Sequence, residues 1–247
     1  MDWSFDRIEP GGTRALVTRT LAEEVPIAVE INGIGYAVMM ATPADLEDFA
    51  HGFVRAERLG DPVEVETHSA EAGVILRITL ASSAQVIERV RHRTTDSSCG
   101  LCGIENLEAA LRPLPKVTAV TSADADAVFR AAATLRGHQP MTARTGAHHA
   151  AALCAADGSI RHVREDVGRH NAFDKLIGAM ARGGLDWDGG FALLSSRCSY
   201  ELVEKAVLAG CPLLAAISAP TALAAEAAKG AGLRLAVLVR PDALLWA

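Results

Sequence analysis

Alternation of apolar and polar residues dominates the first third of the chain and predicts β-strands there. Two apolar runs, 25–31 and 34–40, are joined by Asn32-Gly33, which is the strongest short signal for a β-hairpin. Two more strands are predicted around 63–66 and 74–80. In the last of these, apolar residues alternate with Arg77 and Thr79, so one face of the sheet is expected to meet solvent.

A period of 3.6 residues predicts helices in both halves of the chain. The first helix follows the hairpin, with Thr42 as the expected N-cap, Pro43 at the first helical position and an apolar face from Leu46 to Val54. Further helices are predicted over 83–93, 104–111, 122–136, 169–181, 199–209 and 220–229.

The second half combines a hairpin with strand–helix alternation. Strands over 147–155 and 160–163 flank Asp157-Gly158, and three apolar strands, 191–195, 213–218 and 233–239, alternate with helices. Such alternation is typical of a sheet with parallel strands covered by helices. We therefore expect an α/β fold with a mixed sheet. Pro113 and Pro115 suggest a division into a β-rich part, 1–115, and an α/β core, 116–247.

Composition and charge restrict the class of protein. The chain has 247 residues, of which 50% are hydrophobic and 22% charged, as in ordinary globular proteins. The net charge of −6 and the aromatic content of 4% argue against broad nucleic-acid binding. We see neither a signal peptide nor an apolar run long enough for a membrane helix. Five cysteines, an odd number, favour free thiols in a reducing compartment, so the expected location is the cytoplasm.

The sharpest chemical feature is Cys99-Gly100-Leu101-Cys102. A Cys-x-x-Cys pair can hold a metal or provide a reactive thiol. A second ligand pair for zinc is missing from the sequence, and so is the His-x-Glu motif of zinc deaminases. Arginines upstream and a predicted helix downstream favour a thiolate. A nucleophilic or sulfur-carrying thiol, a zinc site and a merely structural turn all stay open on the motif alone.

Polar groups are concentrated between Arg164 and Lys175. On the predicted helix, His170 lies one turn from Asp174 and Asn171 lies one turn from Lys175, so we expect two neighbouring polar stripes. A helix N-terminus with Arg, His and Lys nearby is suited to an anion. A solvated, salt-bridged helix face is the simpler alternative.

These segments resemble the FdhD family, the formate dehydrogenase accessory sulfurtransferases. The resemblance includes Ser97–Gly103, Arg164–Lys175, Ser218–Thr221 with Leu223-Ala224, Val25–Gly33, Ala41–Ala50, Ser195–Arg197, Ser199–Glu201 and Lys205, in the family's order along nearly the whole chain. It implies a cytidine-deaminase-like three-layer α/β/α core with an added N-terminal β-rich part.

The resemblance also implies a function. FdhD proteins take persulfide sulfur from a cysteine desulfurase and pass it to the molybdenum cofactor, bis-molybdopterin guanine dinucleotide, before formate dehydrogenase receives that cofactor. Cys99 corresponds to the persulfide carrier and Cys102 to a second thiol. No intrinsic metal is expected.

The resemblance further implies where the guanine dinucleotide is contacted, which is the last strand and the turn after it. The corresponding residues are Leu238, Val239, Arg240, Pro241, Asp242 and Ala243. From their charge, Arg169, His170, Lys175 and Arg240 are our candidates for phosphate or pterin contacts. Since the cofactor carries two guanine nucleotides, a twofold homodimer with one pocket per subunit is expected.

Two alternative functions are kept. In the first, the chain is a non-catalytic chaperone that binds the molybdenum cofactor and uses its cysteines for docking. In the second, it is a metalloenzyme of the deaminase type, with zinc held by Cys99 or Cys102.

Overall fold

The structure, a computed structural model, describes residues 1–88 and 112–247. Its strands are β1 (Asp2–Ile8), β2 (Arg14–Thr20), β3 (Val25–Ile31), β4 (Ile34–Ala41), β5 (Glu64–Ala70), β6 (Gly73–Thr79), β7 (His149–Cys154), β8 (Ile160–Asp166), β9 (Phe191–Leu194), β10 (Leu213–Ala216), β11 (Arg234–Val237) and β12 (Leu245–Trp246). Its α-helices are α1 (Leu46–Ala56), α2 (Ala125–Leu135), α3 (Pro140–Thr145), α4 (Arg169–Gly183), α5 (Tyr200–Leu208) and α6 (Ala222–Ala231). Residues 84–88 are also helical. Three predicted features lie outside the described residues: the rest of the helix over 83–93, the helix over 104–111 and the Cys99–Cys102 pair.

A four-stranded sheet, ordered β4-β3-β6-β5, forms most of the N-terminal part. Asn32 and Gly33 join β3 to β4 with φ angles of 51° and 76°, the left-handed pair that a tight hairpin requires. The predicted hairpin is therefore confirmed. Helix α1 covers one face of this sheet, where Ile27, Val29 and Phe49 are buried.

Helix α1 begins later than the sequence predicts. Its N-cap is Asp45 rather than Thr42. The Thr42 hydroxyl accepts a hydrogen bond from the backbone N–H of Val167, at 3.2 Å. The expected N-cap is wrong because that hydroxyl is used in a contact with the second half of the chain.

A six-stranded sheet, ordered β12-β11-β10-β9-β7-β8, forms the second half. Strands β9, β10 and β11 are parallel, whereas β7, β8 and β12 pair in antiparallel fashion. The hairpin at Asp157-Gly158 joins β7 to β8, as predicted. The mixed sheet and the strand–helix alternation are confirmed.

Helices cover both faces of the six-stranded sheet. One face packs against α4, α5 and α6 around Phe173, Leu176 and Leu202, and the other packs against α2 around Val128. This is a three-layer α/β/α arrangement. Likeness to cytidine deaminase and a domain division between residues 115 and 116 stay predictions.

The N-terminal part is packed directly on the core through α1 and α4. A Cβ atom on Gly52 would lie 1.8 Å from the Asp174 carbonyl oxygen, and one on Gly178 would lie 1.8 Å from the Asp48 carbonyl oxygen. Both helices therefore need glycine at their crossing, because no side chain fits between the two backbones. Arg164 and Arg182 add ion pairs to Asp48 across this contact.

Three features differ from the sequence predictions or were not predicted. The β1–β2 hairpin and α3 were not foreseen. The N-cap of α2 is Asp124, whose carboxylate accepts from the Ala127 N–H at 2.8 Å, rather than Ser122. Within the described ranges, no helix is both long and apolar enough to cross a membrane.

Candidate functional site

The candidate site lies at one edge of the six-stranded sheet. Parallel strands β9, β10 and β11 all end at this edge. Strand β7 begins there and β8 ends there, because His149 pairs with Asp166. The segments of family resemblance lie at these strand ends and so converge: 164–175, 195–201, 218–221 and 238–243. Residues 145–149, which lead into β7, reach the same edge. This edge of an open α/β sheet is where such folds bind ligands.

Hydrogen bonds tie the loops at this edge to one another. The Ala150 N–H donates to the Ser195 hydroxyl at 2.8 Å. The Cys198 N–H donates to the Ala219 carbonyl at 3.1 Å, and the Leu238 N–H donates to the Ser218 carbonyl at 3.2 Å. The loops after β9, β10 and β11 therefore form one connected rim.

Asp166, at the end of β8, is the centre of a buried network. One carboxylate oxygen accepts from the Gly168 N–H at 2.7 Å and from the Asn171 amide at 3.1 Å. The other accepts from the Thr42 N–H at 3.0 Å and from the Lys175 ammonium at 2.6 Å. This carboxylate fixes the turn that leads into α4, and with it the positions of Arg169 and His170.

Lys175 is not available to a ligand. Its side chain is 0% exposed, and its ammonium donates to Asp166 and, at 2.9 Å, to the Thr42 carbonyl. The sequence-based assignment of Lys175 as a phosphate or pterin contact is wrong, because this buried lysine holds the N-terminal part against the core. Asn171, which is also buried, has the same role through the Met40 carbonyl, at 2.9 Å.

His170 and Asp174, which were expected to form one polar stripe, lie in different environments. Asp174 is buried and accepts two hydrogen bonds from Lys205, at 2.6 and 2.8 Å. Burial raises the pKa of Asp174, while Lys205 acts in the opposite direction. His170 is partly exposed, and its Nε2 lies 3.0 Å from a carboxylate oxygen of Glu201.

His149 and His170, at this edge, are held neutral at physiological pH. Burial lowers the pKa of His170 to about 4, against the opposing effect of Glu201 and with smaller contributions from Arg169 and Lys205. Burial also lowers the pKa of His149, assisted by Arg169 and Arg197. Arg169, Arg197 and Arg240 bring three positive charges to this edge, against the exposed carboxylates of Glu201 and Asp242, so the edge is electropositive without charge on its histidines.

Two buried polar atoms at this edge have no hydrogen-bond partner within the described residues. They are Arg169 Nε, at the first turn of α4, and Ser199 Oγ, at the N-cap of α5. Buried polar atoms are normally satisfied, so each of these two atoms has hydrogen-bonding capacity left for a ligand. A guanidinium and a hydroxyl beside two helix N-termini fit a phosphate.

The predicted C-terminal contact segment forms a turn at the same edge. Leu238 has a φ of 53°, and Val239 is buried in the core. Arg240 is exposed and donates through Nη1 to the Ile217 carbonyl, whereas its side-chain Nε and Nη2 have no hydrogen bond among the described residues and can meet a ligand. Pro241, Asp242 and Ala243 are exposed. A nucleotide contact by these residues stays a prediction.

The three described cysteines are unsuited to carrying sulfur. Cys154, Cys198 and Cys211 are buried, and burial raises the pKa of each to about 12. The thiolate is the nucleophilic form of cysteine, so these thiols are inert at neutral pH. Within residues 1–88 and 112–247, no three His, Cys, Asp or Glu side chains are grouped to hold a metal. Cys99 and Cys102 lie outside these ranges.

Sequence reasoning did not assign site roles to His149, Arg197, Ser199 or Glu201. The signal was present, since Arg197 and Ser199 follow β9 within five residues of its end. Residues that come directly after parallel strands are expected at the ligand-binding edge.

A separate cavity of about 410 Å³ lies between α1, α4 and α5. Its cationic lining residues, Arg55, Arg58 and Lys205, are each paired with a carboxylate, those of Asp61, Glu204 and Asp174. Because these carboxylates neutralise its cations, the cavity is a weaker anion site than the sheet edge. At that edge, Arg169 and Arg197 have no ion pair among the described residues.

Fold and site together define a mixed α/β protein whose electropositive sheet edge is suited to a phosphate-bearing ligand. Comparison with known proteins makes the class specific. Residues 22–245 match the FdhD/NarQ family model, and the chain belongs to this family.

Relatives named sulfur carrier protein FdhD are similar over most of the chain. The one from Xanthomonas euvesicatoria is 48% identical over 231 residues, covering 91% of this chain and 82% of the relative. The one from Chromobacterium violaceum is 44% identical over 255 residues, covering 95% and 94%. The crystal structure of a proposed formate dehydrogenase accessory protein from Desulfotalea psychrophila has the same fold, with a TM-score of 0.74 at 22% identity, and covers 100% of this chain and 95% of that one.

Proposed function

We propose that this chain is a cytoplasmic sulfur carrier for formate dehydrogenase. It receives persulfide sulfur from a cysteine desulfurase and passes it to the molybdenum cofactor, bis-molybdopterin guanine dinucleotide. The names of the curated relatives support sulfur carriage. The observation that carries the cofactor part is the electropositive sheet edge, where a buried Arg169 nitrogen has no partner in the described part of the chain.

Sulfur enters through Cys99 in this proposal. Its thiolate attacks the outer sulfur of the desulfurase persulfide. A bond forms between the two sulfurs as the S–S bond of the donor breaks, and the donor cysteine leaves as a thiolate. No external oxidant is needed, since the persulfide already carries the oxidised sulfur. Cys102 is the second thiol that relays or resolves the persulfide.

The sheet edge binds the cofactor in this proposal. Arg169 and Arg197 contact phosphate oxygens, and Arg240 and the exposed turn up to Ala243 contact the guanine nucleotide. His149 and His170 are neutral at physiological pH, so they can offer a hydrogen bond without adding charge. The two nucleotides of one cofactor are shared between the subunits of a twofold homodimer, and the core is of the cytidine-deaminase type.

Guanosine diphosphate binding tests the cofactor site. By isothermal titration calorimetry, Arg169→Ala is expected to weaken the Kd about tenfold or more, since one charge-assisted hydrogen bond is worth roughly 1.5–3 kcal/mol. The matched control is Arg161→Ala. Arg161 lies near the start of β8, away from the edge, and pairs with Asp188. Equal affinities for the two variants would overturn the assignment of the site.

A complementation assay distinguishes a sulfur carrier from a non-catalytic cofactor chaperone. The chain is expressed in a strain that lacks its own carrier, and formate dehydrogenase activity is measured. Cys99→Ala is expected to abolish restoration, whereas Cys154→Ala is expected to retain it. Full restoration by Cys99→Ala would favour the non-catalytic chaperone instead.

A further inference from the structure

Glu201 is an acidic residue at a sheet edge where positive charge predominates. It is the second residue of α5 (Tyr200–Leu208), whose N-cap is Ser199, and its side chain is 66% exposed. A carboxylate beside an anion site repels every phosphate that approaches, and the repulsion grows with the charge of that phosphate. Glu201 therefore bears on which phosphates this edge accepts.

A hydrogen bond between two helices holds Glu201 inside the anion site. His170 Nε2, in the first turn of α4, lies 3.0 Å from a carboxylate oxygen of Glu201. Arg169, which precedes His170, and Ser199, two residues before Glu201, carry the two buried atoms without a partner among the described residues. The Glu201 carboxylate thus contacts the neighbour of one of these residues and lies on the same helix start as the other.

The negative charge of Glu201 is not cancelled by its partner. Burial lowers the pKa of His170 to about 4, so at physiological pH this histidine is neutral and donates a hydrogen bond from Nε2. In the part of the chain that the structure describes, Glu201 has no ion pair with lysine or arginine. Lys205, one turn further along α5, is bound to Asp174 instead. The carboxylate therefore acts on a bound ligand at full charge.

A purely structural role is the alternative for Glu201. An acidic residue in the first turn of a helix interacts favourably with the helix dipole. That role concerns α5 alone, whereas the observed contact joins Glu201 to α4. The two roles also predict different results, because a structural residue affects stability without affecting the choice between two ligands.

Free and esterified phosphates differ in charge. A terminal phosphate carries about −1.5 to −2 at pH 7, because its second ionisation has a pKa near 6. Esterification of its end leaves one ionisable oxygen and one negative charge. In a guanine dinucleotide the pyrophosphate is esterified at both ends, whereas free GDP has a terminal phosphate. A fixed carboxylate at the binding edge therefore opposes GDP more strongly than the dinucleotide.

We propose that Glu201 is a specificity residue that disfavours a free terminal phosphate, so that the edge selects a nucleotide whose pyrophosphate is esterified at both ends. This inference rests on the proposed function, which places a guanine nucleotide at this edge, and adds the residue that distinguishes cofactor from free nucleotide. Such selection keeps free guanine nucleotides from occupying the cofactor site.

Isothermal titration calorimetry with GDP and with its β-methyl ester tests the proposal. The two probes differ by one methyl group and one ionisable oxygen. The measured quantity is the ratio of the GDP Kd to the ester Kd. Glu201→Gln is expected to lower this ratio about threefold or more, since a unit charge about 7 Å away changes affinity roughly threefold in water. The matched control is Glu226→Gln, an equal charge change at an exposed position on α6, which should leave the ratio unchanged.

Glu201→Asp separates charge from folding. This variant keeps the carboxylate, so its ratio is expected to stay within about twofold of the wild type. An unchanged ratio in Glu201→Gln, an equal fall in Glu226→Gln, or an equal fall in Glu201→Asp would overturn the inference alone, provided that GDP binding still depends on Arg169. A wild type that binds neither probe would overturn the proposed cofactor site together with this inference.

Discussion

Asp166 and Lys175 show how one residue pair can determine both the fold and the site. Additional hydrogen bonds offset the cost of burying an ion pair, and here they come from Thr42, Gly168 and Asn171. The sequence placed Lys175 correctly on the helix that follows Asp166. It could not distinguish a buried lysine from a ligand-binding one, because the partner Thr42 lies 133 residues from Lys175.

His170 gives a pH dependence at the residue scale. Its pKa is lowered from 6.5 to about 4 in the folded chain, so between these values the unfolded chain binds a proton that the folded chain does not. The free energy of unfolding should therefore fall as the pH falls from about 6.5 to about 4, and stay unaffected by this group above that range. The loss is on the order of 1–2 kcal/mol after allowance for partial exposure.

Urea denaturation at several pH values between 7.5 and 4 measures this dependence. His149 and other partly buried histidines act in the same direction, so the comparison is with His170→Gln. The variant should lose less stability than the wild type over this range. Parallel curves for the two proteins would contradict the shifted pKa of His170.

At the scale of elements, the crossing of α1 and α4 fixes the N-terminal part on the core. Their apolar faces were predictable from periodicity, since Phe49, Phe53, Phe173 and Leu176 are buried as expected. The need for Gly52 and Gly178 was not predictable. A helical glycine has the same sequence signature whether it faces solvent or another backbone.

The glycines at this crossing give a stability prediction. Gly52→Ala and Gly178→Ala should each lower the free energy of unfolding by about 2–3 kcal/mol, because the added methyl group overlaps a carbonyl oxygen and the helices must separate. The measurement is urea denaturation. The matched control is Gly230→Ala in α6, where a Cβ atom has no neighbour within 4 Å. It should be neutral or stabilising by up to about 1 kcal/mol, and an equal loss in all three variants would contradict the crossing.

For the whole molecule, the sequence predicted the class of fold, but not the sheet edge at which its motifs meet. Local signals were sufficient where one turn decided the structure, as at Asn32-Gly33 and Asp157-Gly158. They were insufficient for the β1–β2 hairpin, whose strands interleave apolar and charged residues on both faces. A hairpin that is exposed on nearly every residue leaves no one-sided apolar pattern to detect.

Only part of the site could be predicted, because local sequence signals do not show which strands lie side by side. Arg169 and His170 were found because they crowd one helix start, and they lie at the edge where the motifs converge. Arg197 and His149 reach that edge from other strands, so their proximity depends on the order of strands in the sheet. Strand order is set by packing over the whole chain and cannot be derived from any one segment.

Sulfur carriage by Cys99 is the central claim, and intact mass spectrometry tests it most directly. The chain is incubated with a cysteine desulfurase and cysteine, as wild type, Cys99→Ala and Cys154→Ala. Because burial keeps the Cys154 thiol protonated, with a pKa of about 12, wild type and Cys154→Ala should each gain one sulfur that a reductant removes. Cys99→Ala should gain none. The same gain in Cys99→Ala, or no gain in the wild type, would contradict the account.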